Sequence, residues 1–211
     1  MTGPTPPPDR YGARLRKELR ASYRGVFGSF RNYWGTYGGA LALLASPYLH
    51  FALLLLIPTY PSWTRPGWWD QVLGALPNLL GFSVAALAIS LGVGNDTFRN
   101  VISGASAAER ESGERSPYMR ATATFTHFVM VQIVSILMAI TCAGIHRIQW
   151  SGRGEMAVLV RTIGRHVIWG LGYSCFLYAL CITAASVISL FRIAEWFDSF
   201  RSKEKDRNET H

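Results

Sequence analysis

The sequence predicts an all-α membrane protein, with four transmembrane helices in a bundle preceded by an amphipathic interfacial helix. First, four stretches of the 211-residue chain are each about as long as a bilayer-crossing helix, which needs roughly 20 apolar residues. Second, these stretches are continuously apolar, whereas soluble helices carry a polar face and barrel strands alternate. Third, most of the basic residues lie before the first stretch, after the last one and in a single loop, as the positive-inside rule requires.

The predicted transmembrane domain covers residues 39–191, with spans at about 39–58, 70–94, 121–146 and 166–191. Acidic and basic residues are absent from the cores of the last three spans, at 79–93, 128–145 and 167–191. The first span contains Pro47, which removes a backbone donor and predicts a kink. The first apolar run starts only after residue 38 and is longer than a signal-peptide core, so no cleaved signal peptide is expected.

The N-terminal region has two predicted parts. Residues 1–9 contain four prolines and are expected to be disordered. Residues 10–38 carry large apolar side chains at helical spacing: Tyr11, Leu15, Leu19, Tyr23, Val26, Phe27 and Phe30. This pattern predicts a helix on the inner membrane surface, with Arg14, Arg16, Lys17 and Arg20 on anionic lipid. Packing of the same helix on protein is the alternative.

Charge sets the predicted orientation. With both termini cytoplasmic, 16 of the 21 basic residues face inward, so the positive-inside rule favours a multi-pass membrane protein with both termini in the cytoplasm. Trp63, Trp68 and Trp69 suit an interfacial hairpin between the first two spans on the outer side. The loop 95–120 is predicted to be cytoplasmic, partly helical and partly flexible. Residues 192–211 are predicted to form a cytoplasmic juxtamembrane helix and a charged tail that frays.

Four polar residues inside the predicted spans are candidate functional residues: His50, Asn78, His127 and Gln132. His50 and Asn78 lie at matched depths of about 12 Å, where they would bond each other or line a wet path. His127 and Gln132, with Ser135, are expected to face the bundle or another subunit, because an unpaired buried amide is costly. Small residues on the second span predict close helix packing at Gly81, Ala86, Ser90 and Gly94.

Catalytic and metal-binding patterns are missing from the sequence. It contains no Gly-x-Ser-x-Gly, no P-loop, no His-Glu-x-x-His and no carboxylate pair within the spans. The cysteines, Cys142, Cys175 and Cys181, all lie in predicted spans without Cys-x-x-Cys spacing, so neither a disulfide framework nor a zinc site is expected. We therefore expect that the chain is not an enzyme, that it binds no cofactor or metal, and that it does not bind nucleic acid directly.

Three segments carry a family resemblance: 76–83 (Leu-Pro-Asn-Leu-Leu-Gly-Phe-Ser), 125–132 (Phe-Thr-His-Phe-Val-Met-Val-Gln), and Tyr178-Ala-Leu followed by 190–194 (Leu-Phe-Arg-Ile-Ala). With the four-span layout, they resemble uncharacterised bacterial membrane proteins of the type of the Kiwa anti-phage membrane subunit, which works with a cytoplasmic DNA-binding partner. The resemblance implies an oligomeric membrane sensor or effector, and it carries over no catalytic residue.

Two functional hypotheses follow from these patterns. In the first, the protein is a non-enzymatic inner-membrane homo-oligomer that couples a membrane event to a cytoplasmic protein partner, in bacterial anti-phage defence. In the second, it is a homo-oligomeric ion channel or pore-forming effector. Long charged cytoplasmic segments favour the first hypothesis, and polar residues at matched depth favour the second.

Overall fold

The computed structural model describes residues 8–92, 116–148 and 155–209, and these residues form helices and no strand. The helices of the described ranges are α1 (Pro8–Tyr37), α2 (Gly39–Leu44), α3 (Pro47–Leu55), α4 (Tyr60–Trp63), α5 (Trp68–Gly92), α6 (Pro117–His146) and α7 (Glu155–Glu209). Three of them are long and apolar enough to cross a membrane, over Trp68–Ile89, Tyr118–His146 and Val158–Lys203. The all-α class of the prediction is confirmed for the described residues, and the second to fourth predicted spans overlap these helices, with residues 93–94 outside the described ranges.

The first predicted span is divided between α2 and α3. α2 ends at Leu44, and Ser46 is extended, with φ −68° and ψ 121°. Pro47 then takes the first position of α3, where its missing N–H has no helical partner to lose. The six residues of α2 and the nine of α3 are each too short to cross a bilayer. A fourth spanning helix is therefore not confirmed, and passage of residues 39–58 through the membrane stays a prediction.

The helix α6 lies at the centre of the packing. It contacts α5 on one side and α7 on another, and the C-terminal end of α1 packs on it, while α3 packs on α7. Eight of its described residues are buried, and six of them recur in alternating steps of three and four: Phe125, Phe128, Gln132, Ser135, Ala139 and Cys142. This spacing keeps one side of α6 turned toward its neighbours, and Ala123 and His127 widen the buried side at the N-terminal end.

The last helix is longer than predicted at both ends. α7 has 55 residues and begins at Glu155, within the predicted outer loop. It continues to Glu209, so residues 201–209 are helical where the sequence predicted a frayed tail. The reason is local, because Arg, Lys and Glu are good helix formers and neither Gly nor Pro follows Gly172 within α7. Disorder was predicted for residues 1–9, but Pro8 and Asp9 are the first residues of α1. Residues 1–7, the loop residues 93–115 and 149–154, and residues 210–211 lie outside the described ranges.

Aromatic side chains pack at the end of the bundle where α5 begins and α6 ends, against Trp169 and Tyr173 of α7. The Trp68 and Tyr173 rings meet edge to face with centroids 5.9 Å apart, and Trp69 and Trp169 do so at 5.6 Å. Trp68 is 1% exposed, so this indole packs inside the bundle at the start of α5, and the interfacial position of the hairpin stays a prediction. A Cβ atom on Gly172 would lie 2.6 Å from the Trp68 ring, and only glycine therefore leaves room for the indole.

Candidate functional site: the His127 cage

His127 lies in the first third of α6 and is almost completely buried, with 5% of its surface exposed. Its Nδ1 is 2.8 Å from the hydroxyl oxygen of Tyr33 in α1. Its Nε2 is 3.0 Å from the hydroxyl oxygen of Tyr178 in α7. One imidazole therefore joins three helices that are far apart in sequence.

Aromatic rings complete the surroundings of this imidazole. The Tyr37 ring stacks on it, with centroids 3.8 Å apart and planes inclined by 18°. The Trp34 ring lies at 6.3 Å. Tyr33 and Tyr37 are one helical turn apart, so the last turn of α1 brings both onto α6. We call these five residues the His127 cage: Tyr33, Trp34, Tyr37, His127 and Tyr178.

The hydrogen bonds of the His127 cage fit either tautomer of the ring. A neutral imidazole has one donor and one acceptor nitrogen, and a tyrosine hydroxyl can serve as either partner. Burial, and to a lesser extent the nearby Tyr37, raise the pKa of Tyr33 to about 12, so its hydroxyl keeps its proton at neutral pH. The cage can thus hold α1 against the bundle without a buried charge.

A second buried polar contact lies deeper between α5 and α6. The Gln132 side chain is fully buried, and its Nε2 donates to Ser83 Oγ at 3.1 Å. Ser83 Oγ in turn donates to the carbonyl of Leu79, one turn earlier in its own helix. Ser135, also fully buried, follows Gln132 on the same seam of α6. The Ser83–Gln132 pair thus links α5 to α6 inside the bundle.

The structure does not bring the other two candidate polar residues together. His50 on α3 and Asn78 on α5 are both exposed at the protein surface. α3 packs on α7, whereas α5 packs mainly on α6. Within the described ranges no hydrogen bond joins the two side chains.

The predicted small-residue face of α5 separates into a buried part and an exposed part. Ala86 is buried inside the bundle. Gly81 is exposed, and a Cβ atom there would meet nothing within 4 Å. Gly94 lies outside the described ranges, as does the side chain of Ser90. Gly81 belongs to a row of exposed residues that we call the α5 stripe: Gly74, Asn78, Gly81, Ala85, Ala88 and Gly92.

Between Tyr11 and Arg31, the basic residues of α1 are exposed, as are its large apolar side chains. Arg16, Lys17, Arg20 and Arg24 line one shallow groove of about 730 Å³. Arg14 forms an exposed ion pair with Glu18 at 3.2 Å, a type of contact that contributes little stability. The large apolar side chains of the helix from Tyr11 to Phe30 are between 47% and 71% exposed. Among the described residues, the hydrogen bond and the ring contacts that join α1 to α6 lie between Tyr33 and Tyr37, at the His127 cage.

Sequence reasoning selected His127 but not its partners. Tyr33 and Tyr178 are 94 and 51 residues away in the chain, and the bonds to them depend on the fold. The sequence feature that could have indicated them is the aromatic group Tyr33, Trp34 and Tyr37, which continues the apolar face of α1 up to the first apolar run. In the described part of the chain, no group of three His, Cys, Asp or Glu side chains could hold a metal ion.

The fold and the His127 cage define a class: a helical protein with three membrane-length helices, to which an amphipathic helix is attached through a buried histidine. No protein-family model, curated protein or solved structure matches the chain.

Proposed function

We propose that the chain is a non-enzymatic, oligomeric component of the bacterial inner membrane, in which α1 senses the membrane surface and the bundle relays its state to a cytoplasmic partner. The proposal rests on the way α1 is attached to the bundle, which is at one end of the helix. Its last turn is bonded to His127, whereas the rest presents a bare apolar face and a basic face. Helices of this kind bind at the headgroup level of anionic membranes.

The apolar face of α1 and the His127 cage are continuous. Leu19, Val26 and Tyr33 follow one another at intervals of seven residues, and therefore lie on one side of the helix. A membrane surface would bind the same side of α1 that carries Tyr33 and Tyr37, the residues that contact α6. Lipid binding by α1 and its docking on α6 are thereby coupled.

Amide hydrogen exchange in reconstituted vesicles tests the membrane contact of α1. On vesicles containing phosphatidylglycerol, residues 11–30 should exchange more slowly than on phosphatidylcholine, and high salt should reduce the difference. Replacing Arg14, Arg16, Lys17 and Arg20 by Gln should weaken attachment by about 1 kcal/mol per charge. Equal exchange on both vesicles would favour packing of α1 on protein and contradict the proposal.

The α5 stripe supports the proposed homo-oligomer. Its members recur at alternating intervals of four and three residues, which is the spacing of a helix–helix seam. Small side chains let two membrane helices approach closely, and a membrane amide such as that of Asn78 is stabilised by a partner across the contact. The proposed contact is with a second copy of the chain.

Light scattering in mild detergent tests this assembly. Gly81→Leu should shift the protein toward monomer, because it places a large side chain in the stripe without touching its own protomer. Gly144→Leu is the matched control, since that glycine is also exposed and unobstructed but lies on α6. Ala86→Leu is not a suitable variant, because Ala86 is buried inside the protomer. A monomeric wild type would reject the oligomer.

A cytoplasmic partner and a place in phage defence complete the proposal, and the defence role rests on the resemblance of residues 76–83 and 125–132. From Phe191 to Glu209, α7 continues for about 27 Å, which offers a docking segment beyond the predicted span. Reporter fusions at Gly104 and His211 should both show cytoplasmic activity. Periplasmic activity at either position would overturn the orientation.

The channel hypothesis requires a path between copies, since Gln132 and Ser83 bond each other inside the protomer. His50, exposed on α3, could line such a path. Reconstituted protein should show no ion flux if the sensor proposal holds. A pH-dependent conductance that disappears in His50→Ala would instead make the channel the better explanation.

A further inference from the structure

A groove opens where α6 ends and α7 begins. Its volume is about 860 Å³, within the range of small-molecule sites. Ile145, Val160 and Ile168 give it apolar walls, and each of these side chains is at least 43% exposed. An amphiphile with an apolar chain would cover these walls, which a soluble anion would leave bare.

The polar side of this groove is cationic. Arg161 and Arg165 lie one turn apart on α7, and His146 lies across from them on α6. Of the described residues that line the groove, none is acidic. A phosphate placed between the two guanidinium groups would accept charge-assisted hydrogen bonds from both.

Arg165 is oriented by an aromatic ring. Its Cζ lies 5.1 Å from the centroid of the Trp169 ring. Such a contact uses the face of the guanidinium, whereas its N–H donors lie in the guanidinium plane and can bind a phosphate in bidentate fashion. The groove thus combines two guanidinium groups, one of them beside an aromatic ring, with apolar walls.

The position of the groove matches a membrane surface. Along α6, His146 is about 28 Å from His127, close to the thickness of the hydrocarbon core. The groove therefore lies at the surface opposite the one where α1 joins the bundle. Trp169, which lines the groove, packs there against Trp69, and tryptophan is typical of that depth.

We infer that this groove binds one anionic phospholipid of the leaflet opposite α1, with its phosphate on Arg161 and Arg165 and an acyl chain along Ile145 and Ile168. The inference requires only that the bundle spans the membrane. It does not depend on the role proposed for α1.

Native mass spectrometry of the full chain in neutral detergent tests the site. Phosphatidylglycerol should bind more tightly than phosphatidylcholine with the same acyl chains. Replacing Arg161 and Arg165 together by Gln should weaken phosphatidylglycerol binding by about tenfold or more, because two charge-assisted contacts are lost. The control Arg147→Gln should leave binding unchanged, since Arg147 is exposed near the groove but does not line it.

A second pair of variants tests the groove without changing its charge. A Cβ atom on Gly164 meets nothing within 4 Å, so Gly164→Leu should fill the groove and block the acyl chain while the fold persists. Gly144→Leu, outside the groove, should bind lipid like the wild type. The α1 variant with Arg14, Arg16, Lys17 and Arg20 replaced by Gln should keep the bound lipid. Loss of the lipid in that variant, or wild-type affinity in the Arg161/Arg165 variant, would overturn the inference.

Discussion

The hydroxyl of Tyr33 provides the sharpest test of how α1 is held. Tyr33→Phe removes the 2.8 Å hydrogen bond to His127 but keeps the ring and its packing. It leaves one nitrogen of a 95% buried imidazole without its partner, which in soluble proteins costs about 1 to 3 kcal/mol. Interhelical hydrogen bonds in membranes average only about 0.6 kcal/mol, with a maximum near 1.7.

Which of these two energies applies depends on where the hydrogen bond lies. Tyr33 is only partly buried, and water can reach the rim of the His127 cage on the side of α1. We therefore expect a loss of about 1 kcal/mol in the free energy of undocking α1, close to a fivefold increase in opening. Amide hydrogen exchange should become about fivefold faster over residues 30–37, with the core of α6 unchanged.

A matched substitution controls for the loss of a tyrosine hydroxyl elsewhere on the helix. Tyr23 lies on the same helix and is 64% exposed, so Tyr23→Phe should leave exchange unchanged. Identical exchange in the two variants would refute the view that the hydroxyl of Tyr33 holds α1. Tyr37→Ala, which removes the ring stacked on His127, should then decide whether stacking alone holds the helix.

Three further predictions concern stability. Folding raises the pKa of Tyr33 from 10 to about 12, so the unfolded chain loses this proton at a lower pH than the folded chain does. The free energy of unfolding should therefore fall as pH rises from about 10 to 12. Ultraviolet difference titration of wild type against Tyr33→Phe should show one tyrosine titrating near pH 12. Gly172→Ala should lower thermal stability by about 1 to 3 kcal/mol because its Cβ would collide with Trp68, whereas Gly144→Ala, with open space around its Cβ, should not; equal melting temperatures would contradict this. Ser83→Ala should lower the free energy of unfolding by about 0.6 to 1.7 kcal/mol, because Gln132 loses its hydrogen-bond partner. In a double-mutant cycle with Gln132→Leu, the two losses should not add, and the coupling energy should be of the same size.

The helices were predictable wherever one local pattern extends over many residues. The amphipathic pattern predicted residues 10–38, and α1 is Pro8–Tyr37. The apolar run predicted 121–146, and α6 is Pro117–His146. Pro47 predicted a kink, whereas the helix is fully interrupted at an extended Ser46. The missing N–H and the ring of a proline can produce either result, and the surrounding packing decides between them.

Two features lay beyond the reach of the sequence for a physical reason. Hydropathy reports which residues the bilayer accepts, whereas helix continuity depends on backbone propensity, so α7 extends past both ends of its apolar run. The His127 cage depends on the rotation of α1, α6 and α7 about their axes. A histidine predicted to face the bundle or another subunit does not reveal which side chains it meets, and the expected pairing of His50 with Asn78 assumed that neighbouring spans share a face.

The uninterrupted length of α7 has a mechanical consequence. At 1.5 Å per residue its 55 residues extend for about 82 Å, and no proline interrupts its hydrogen-bond ladder. A hydrocarbon core of about 30 Å encloses little more than a third of that length. If α7 crosses the bilayer as predicted, it forms a lever, with Arg161 and Arg165 near one end and Glu209 at the other. A tilt of about 10° would move its two ends relative to each other by about 14 Å, so a lipid headgroup on one side of the membrane and a protein on the other could exert force on each other through a single backbone.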